Sequence, residues 1–286
     1  MQLYTPTGII SLISEAGFTF SKQYGQNFLI NEAVVDRIAK SCRDAQEGGK
    51  AACLEIGPGI GSLTEKLCDR FDRVLSLEID KRLMPILDKT VGRRENLKIV
   101  NCDAMKADLE TMIAEELSGD PVSVCANLPY YITSQIIMRL LECPVRFTSL
   151  VLMIQKEVAS RLAALPGSPE YGAITAAVNY RASVKKLFDV QPGSFMPRPK
   201  VTSTVIMISP YENKPFVPKN EKLLSELIRA SFAQRRKTAV NTVCSAMGAY
   251  TREQIEKAFD CAGVDPSRRG ETLTIAELCR ISDALE

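Results

Sequence analysis

One stretch decides the fold: Leu54-Glu55-Ile56-Gly57-Pro58-Gly59-Ile60-Gly61, where a short apolar run ends in three alternating glycines. Glycines at this spacing permit a tight turn and let a ligand approach bare backbone N–H groups. The helical pattern Leu63–Arg70 follows directly. The stretch therefore predicts a buried strand, a ligand-binding loop and a helix. A plain strand-to-helix turn remains an alternative, because Ser62 stands where a dinucleotide-binding loop has its last glycine.

Short apolar runs alternate with helical patterns around this loop. The runs are continuously apolar, which suits strands covered on both faces of a parallel sheet. The predicted strands are Ala51–Ile56, Val74–Ile79, Leu97–Cys102, Val122–Leu128 and Ser149–Ile154. Helices are predicted at Glu32–Cys42, with Asn31 as N-cap, and at Lys81–Val91, Ser134–Glu142 and Gly172–Ala182.

Two later strands, Val184–Val190 and Thr202–Ser209, are joined without a crossover helix, so they can pair only as an antiparallel hairpin. The result is an α/β, Rossmann-like fold with a seven-stranded, mostly parallel sheet. After the proline-rich segment 210–218 only helical patterns follow, at Glu221–Phe232, Lys237–Met247, Arg252–Ala262 and Ile275–Leu285. We therefore predict an α/β domain over residues 1–209 and a small all-helical domain over residues 210–286.

Composition excludes several classes of site. The 286 residues include no histidine, which rules out Ser-His-Asp triads and histidine-bearing zinc sites. The nine cysteines form no Cys-x-x-Cys pair, so we expect reduced thiols and no metal. With no secretory signal and no apolar run long enough for a bilayer, a cytoplasmic protein without a membrane partner is expected. The net charge of +2 neither favours nor opposes a nucleic-acid partner.

Two carboxylates follow the glycine loop, each where a predicted strand ends. Glu78 ends the second strand, about 20 residues after the loop, where a carboxylate can accept hydrogen bonds from both hydroxyls of a ribose. Asp103 ends the third strand, where it can accept a bond from an exocyclic adenine amine. Carboxyl ends of neighbouring parallel strands form the ligand crevice of open α/β sheets. Together with the loop, the two acids predict a site for an adenosine-containing cofactor.

The fourth predicted strand ends in Asn127-Leu128-Pro129-Tyr130, the most specific motif of the chain. The side-chain oxygen of Asn127 and the carbonyl of Leu128 can accept both hydrogens of an adenine N6 amine, which is otherwise a poor nucleophile. Pro129 removes a competing donor and fixes the chain direction, and Tyr130 can stack on an extruded base. The pattern predicts methyl transfer to adenine, a reaction that needs positioning more than acid–base groups.

At this point the sequence resembles the ribosomal RNA adenine N6,N6-dimethyltransferase family, whose catalytic domain has a class I methyltransferase fold. The segment Tyr24-Gly25-Gln26-Asn27-Phe28-Leu29 resembles the N-terminal motif of that family, which implies that Asn27 and Leu29 contact S-adenosylmethionine. The resemblance also implies cofactor contacts for Gly57, Gly59, Glu78, Asp103 and Asn127, and catalytic roles for Asn127, Leu128, Pro129 and Tyr130.

Two further segments resemble RNA-contacting parts of the family. Ser194–Val201 is similar to a loop whose phenylalanine, here Phe195, helps to sandwich the target base beside Tyr130. Phe232–Lys237 is similar to a helical segment that touches RNA, which implies roles for Arg235, Arg236 and Lys237. Because Arg198 and Lys200 flank the predicted pocket, we expect them to contact phosphate. An unpaired RNA loop is the expected substrate, since a base is extruded from it at least cost.

Within the family, the chain most resembles the branch that dimethylates two adjacent adenosines near the 3′ end of small-subunit (16S-type) ribosomal RNA, during maturation of that subunit. Ribosomal RNA or its precursor particle is then the partner, and the enzyme is expected to be a monomer. Three alternatives remain open. They are a large-subunit (23S) RNA adenine N6-methyltransferase of the macrolide-resistance type, a small-molecule methyltransferase, and a non-enzymatic RNA-binding assembly factor on the same fold.

Overall fold

The computed structural model describes residues 3–20, 25–46, 48–117 and 119–286, and the chain divides into two compact units. The first unit comprises Met1–Ala159 and Lys185–Pro210, and the second comprises Ser160–Val184 and Tyr211–Glu286. Among the helices that the structure describes, none is long and apolar enough to cross a membrane.

The first unit is built on a large sheet, which in the described part of the chain has seven strands in the order β4-β3-β2-β5-β6-β9-β7. The strands, including two short ones outside this sheet, are β1 Phe28–Leu29, β2 Ala52–Ile56, β3 Arg73–Glu78, β4 Leu97–Asn101, β5 Val122–Asn127, β6 Phe147–Gln155, β7 Ala182–Val190, β8 Phe195–Met196 and β9 Ser203–Pro210. β2 is parallel to β3 and β5, and β9 is antiparallel to β6. The predicted mostly parallel sheet with one reversed strand is confirmed.

Most helices of the first unit alternate with the strands, as the sequence pattern predicts. They are α1 Pro6–Glu15, α2 Glu32–Asp44, α3 Ser62–Cys68, α4 Met84–Thr90, α5 Leu109–Leu117 and α6 Thr133–Glu142. The side chain of Asn31 caps α2 by accepting a bond from the Val34 N–H, as predicted. All residues of β2 are buried, since this interior strand of the sheet is covered on both faces. This arrangement brings the carboxyl ends of β2, β3, β4 and β5 to one edge.

Some elements were not predicted from the sequence. The first is α1, which begins at Pro6 after the cap Thr5 and buries Ile9, Leu12 and Ile13. The others are α5 and α7 Lys156–Leu162, each short, and the two-residue strands β1 and β8. β1 pairs with β8 although the two lie far apart along the chain. Periodicity cannot reveal such a pairing, because two residues contain no period.

The second unit is helical and contains α8 Ala173–Asn179, α9 Glu221–Ser231, α10 Ala239–Ala246, α11 Arg252–Cys261 and α12 Ile275–Leu285. The sequence prediction began the helical domain at residue 210 and left residues 160–184 in the α/β domain. In the structure these residues group with the helices, because Tyr171 and Tyr180 are buried in the same apolar core as Leu224 and Phe259. The Gly167 N–H also donates to the Glu271 carbonyl at 2.7 Å.

Candidate active site

A cleft of about 560 Å³, open to solvent, lies at the carboxyl edge of the central strands. Three segments of the first unit that are distant in sequence line it: the N-terminal motif, the glycine loop with the end of β3, and the end of β5. The lining residues are Gly25, Gln26, Asn27, Phe28, Gly57, Gly59, Glu78, Ile79, Leu83, Asn127, Leu128, Pro129 and Tyr130.

The glycine loop presents bare backbone to this cleft. Gly57 and Gly59 have φ angles of 73° and 62°, a region that favours glycine. A Cβ atom at Gly57 would meet nothing within 4 Å, so the space above it is free for a ligand. A Cβ at Gly59 would come within 3.0 Å of the Phe28 ring, so that glycine is needed for close packing. The loop therefore leaves space for a ligand at Gly57 and packs against the Phe28 ring at Gly59.

Glu78 is the acidic group of the cleft. It ends β3, is only 4% exposed, and accepts hydrogen bonds from the backbone N–H groups of Gly59 (3.2 Å) and Asp80 (2.8 Å). Burial raises the pKa of its carboxyl to about 7, while the two backbone donors act to lower it. Glu78 can thus offer its carboxylate oxygens to the hydroxyls of a bound ribose.

A second buried acid, Glu55, lies beneath the glycine loop within β2. Its Oε2 accepts a bond from the Ser76 hydroxyl at 2.6 Å, and among the described residues Oε1 has no hydrogen-bond partner. Burial raises the pKa of this carboxyl from 4.5 to about 7. Because Glu55 does not line the cleft, we expect its raised pKa to affect the stability of the fold.

We expect Glu55→Gln to flatten the pH dependence of stability. A carboxyl whose pKa is raised by folding stabilises the fold below its unfolded pKa, and that stability is lost as pH rises through about 7. At ~1.4 kcal/mol per pKa unit, the wild type should lose about 3 kcal/mol at this group between pH 4.5 and 8, and the glutamine variant should not. Urea unfolding across that range measures the difference. Glu110→Gln, an exposed control, should keep the wild-type slope, and an equal slope for Glu55→Gln would contradict the prediction.

The N-terminal motif is joined to the catalytic motif by a hydrogen bond. The Asn127 side-chain N–H₂ donates to the Asn27 carbonyl at 2.9 Å, and the Asn27 side chain donates to the Gly25 carbonyl at 3.0 Å. Gln26 donates to the Asp80 carboxylate at 2.9 Å, close to Glu78. Tyr24, the first residue of the motif, lies outside the described residues.

The catalytic tetrapeptide begins with Asn127, the last residue of β5. Because the Asn127 nitrogen donates to Asn27, its side-chain oxygen is the atom of that amide that can accept a bond from a substrate amine. The Leu128 N–H donates to the Met153 carbonyl at 3.2 Å, which ties the loop to β6. The Tyr130 hydroxyl lies 2.9 Å from the Ser203 hydroxyl. The motif is therefore held in place by bonds from three other segments.

The structure does not bring every predicted site residue to the cleft. Leu29 and Phe195 are buried opposite each other in the β1–β8 pair and pack in the core of the first unit. Asp103 follows β4 at the expected edge, but its carboxylate accepts a bond from the Met105 N–H at 2.9 Å and does not line the cleft. Their predicted contacts with cofactor or base stay predictions. Arg198 and Lys200 are exposed in the loop after β8.

Sequence reasoning missed some residues of the cleft. Ile79, directly after the acid of β3, is 46% exposed and lines the site, so it offers an apolar face beside Glu78. An isoleucine at the solvent end of a strand was an available signal. Tyr131, whose role the sequence did not suggest, is 55% exposed, and its ring lies against Gly25, where a Cβ atom would be 3.5 Å away.

The cationic segment of the second unit lies in the predicted junction, between the end of α9 and the start of α10. Arg235, Arg236 and Lys237 are all exposed. The Arg235 guanidinium donates to the Pro169 carbonyl, so part of its bonding capacity serves the helical unit itself. Arg236 and Lys237 are therefore the better candidates for contacts with phosphate.

Fold and site together define the class of protein. This chain has three features of a Rossmann-like, class I methyltransferase. They are a mostly parallel sheet with one reversed strand, a glycine loop directly after β2, and a buried carboxylate, that of Glu78, at the end of β3. Among the described residues, no cluster of three or more metal-ligating side chains could hold a metal ion.

Comparison with known proteins identifies the family. A family model described as ribosomal RNA adenine dimethylase matches residues 17–286. A relative from Geobacillus thermodenitrificans, named ribosomal RNA small subunit methyltransferase A, is 43% identical over 284 residues, which cover 98% of this chain and 96% of the relative. A relative of the same name from Shouchella clausii is 44% identical over 285 residues, with 98% and 95% covered. The chain belongs to the ribosomal RNA adenine dimethylase family.

Two solved structures are also similar. A dimethyladenosine transferase from Plasmodium falciparum matches with a TM-score of 0.74 and 25% identity, over 88% of this chain and 95% of that one. The 23S rRNA methyltransferase ErmE matches with a TM-score of 0.66 and 25% identity, over 91% of this chain and 99% of that one. The predicted family and the predicted Rossmann-like methyltransferase fold are confirmed.

Proposed function

We propose that this protein transfers methyl groups from S-adenosylmethionine to the N6 amines of two adjacent adenosines near the 3′ end of small-subunit ribosomal RNA. The observation that carries the proposal is the position of Asn127 and Tyr130 at the rim of the cleft that contains Glu78. The small-subunit substrate is supported by relatives of that name at 43% identity over almost the whole chain. The reaction would belong to maturation of the small subunit.

The residues of the cleft fit the proposed cofactor. The free space above Gly57 and the bare N–H groups of the loop suit its methionine part, and the buried carboxylate of Glu78 suits its ribose. Ile79 offers an apolar face for its adenine ring. When bound, S-adenosylmethionine supplies a methyl group on a positively charged sulfur. Since the lining residues that the structure describes include Glu78 but no Lys or Arg, this part of the cleft favours a cationic ligand.

The chain's own residues then activate the target amine. Its lone pair is delocalised into the adenine ring, so the nitrogen attacks poorly unless both of its hydrogens are held. The Asn127 side-chain oxygen and the Leu128 carbonyl accept hydrogen bonds from this amine, which concentrates electron density on nitrogen as it attacks the methyl carbon. The bond from that carbon to sulfur breaks as the bond to nitrogen forms, and the methylated nitrogen would release one proton to solvent. Tyr130 stacks on the extruded base and holds it in line. No imidazole is required, which agrees with a sequence that has no histidine.

RNA is held by cations outside the cleft in this proposal. Arg198 and Lys200 are exposed in the loop after β8, and Arg236 and Lys237 are exposed in the helical unit. Contacts of this kind with phosphate give affinity without reading sequence. A loop nucleotide is the favoured target, because its extrusion costs less than that of a paired base.

The direct test is mass spectrometry of ribosomal RNA after incubation with the protein and isotope-labelled cofactor. Small-subunit RNA, large-subunit RNA and small-subunit precursor particles serve as separate substrates. The proposal expects two adjacent N6,N6-dimethyladenosines in small-subunit RNA and no label in large-subunit RNA. Label on a large-subunit adenosine would favour the activity named for the similar 23S methyltransferase structure, and no label on any RNA would favour a binding role.

We expect Arg236→Ala combined with Lys237→Ala to weaken RNA binding and to make its salt dependence shallower. Each lost phosphate contact should reduce the slope of log affinity against log salt by roughly one unit, so the pair should reduce it by one to two. Filter-binding titrations at several salt concentrations measure this. Lys50→Ala with Arg93→Ala removes the same charge from exposed positions of the first unit and should leave the slope unchanged. An unchanged slope for the first pair would make that segment ordinary solvated surface.

A further inference from the structure

The Tyr130 hydroxyl lies 2.9 Å from the hydroxyl of Ser203, 73 positions further along the chain. Ser203 is 0% exposed, whereas Tyr130 is half-buried and lines the cleft. We propose that Ser203 is a positioning residue for methyl transfer, which holds the Tyr130 ring in the orientation that receives the target base. The inference rests on the proposed function, since it assumes that Tyr130 stacks on an adenine.

The reversed strand fixes Ser203 in space. Ser203 is the first residue of β9 and is paired with Gln155, the last residue of β6. Immediately before it, the Thr202 carbonyl accepts a bond from the Lys156 N–H at 3.0 Å. These contacts fix the backbone of Ser203 without any contribution from Tyr130. The serine is thus a fixed point of the sheet.

Tyr130 reaches this point from the loop after β5, which is separated from β9 in the sheet by β6. β5 ends at Asn127, which lies opposite Met153 of β6, and the Leu128 N–H continues the pairing with the Met153 carbonyl. The backbone of the catalytic loop is therefore tied to β6, and the tip of the Tyr130 ring is tied to β9. A side chain attached at both ends keeps one orientation of its ring.

The physical consequence concerns rate more than affinity. An unanchored tyrosine at the rim of a cleft distributes itself among several rotamers and loses that freedom when a base stacks on it. A hydrogen bond at the far end of the ring removes the freedom before the base arrives, so a larger fraction of bound complexes has the reactive geometry. Since phosphate contacts elsewhere dominate RNA affinity, the binding constant should change little.

Variants of the Tyr130–Ser203 contact can distinguish a positioning role of the Tyr130 hydroxyl from a role in proton transfer. If the Tyr130 hydroxyl acted on the amine itself, removal of Ser203 would leave the phenol in place and cost little, whereas Tyr130→Phe would cost much. In our proposal the hydroxyl acts only through its bond with Ser203. Each single variant then removes the same interaction, and the double variant removes nothing more.

We expect Ser203→Ala to lower the single-turnover methylation rate about tenfold at saturating RNA and cofactor, in line with the loss of one preorganising hydrogen bond. Tyr130→Phe, and the double variant, should show the same loss. RNA and cofactor dissociation constants should stay within about twofold of the wild type. Tyr130→Phe tests the same bond from its other end and keeps the proposal testable should Ser203→Ala fail to fold.

Ser149→Ala is the matched control. Its hydroxyl lies 3.0 Å from that of Ser123, both residues are buried, and the bond joins β6 to β5 outside the cleft. The control should lower the melting temperature about as much as Ser203→Ala but leave the methylation rate unchanged. A rate for Ser203→Ala equal to that of the control, or losses that add in the double variant, would overturn the positioning role. A wild type that methylates no adenine would instead overturn the proposed function.

Discussion

Asn127→Ala is expected to lower the single-turnover rate of RNA methylation by about 100-fold or more, the scale observed when one preorganised polar contact to a reacting group is lost. The Asn127 amide nitrogen donates to the Asn27 carbonyl, so its oxygen is presented to the target amine with little freedom to turn away. Because this contact strengthens as the amine attacks, its removal affects turnover more than binding. The rate is measured at saturating cofactor and RNA.

RNA affinity of the Asn127 variant should stay near that of the wild type, because phosphate contacts dominate it. Asn96→Ala is a matched control: its side chain also donates to backbone carbonyls, those of Cys68 and Phe71, but outside the cleft. It should lower the melting temperature without lowering the rate. Near-normal turnover of a folded Asn127→Ala protein would make Asn127 a turn residue and would remove the catalytic assignment.

Glu78→Ala is expected to weaken S-adenosylmethionine binding by about 1–3 kcal/mol, or roughly 5- to 150-fold, as charge-assisted hydrogen bonds to the ribose are lost. The substitution also leaves the N–H groups of Gly59 and Asp80 without their acceptor. Isothermal titration calorimetry measures the affinity. Glu110→Ala, which changes an exposed glutamate, should bind as the wild type does. Unchanged affinity for Glu78→Ala would exclude this residue from the cofactor site.

The pH dependence of cofactor affinity gives a second readout for Glu78. Burial raises the pKa of its carboxyl to about 7 in the free protein. A ribose that donates to this group favours the ionised form, so affinity should rise with pH through about 7 and then level off. Glu78→Gln, which cannot ionise, should show no such rise.

Features carried by consecutive residues were predicted well. The glycine loop, the acid at the end of β3 and the Asn-Leu-Pro-Tyr motif each combine local residues with the end of an apolar run, and parallel topology brings such ends to one edge. The cleft accordingly contains Gly57, Gly59, Glu78 and Asn127. Asp103 lies at the same edge but does not line the cleft. The sequence could not show that its carboxylate accepts a hydrogen bond from the Met105 N–H.

The sequence by itself determined most of the strands and helices along the chain, the parallel sheet with its reversed strand, and the segments that line the cleft. Only the tertiary structure decided which atoms of those segments meet. The Asn127–Asn27 and Tyr130–Ser203 bonds join residues 100 and 73 positions apart, and residues 160–184 pack with helices that follow residue 220. Periodicity and motif spacing report on neighbours along the chain, whereas contacts of this kind depend on how the sheet and the helices fill space.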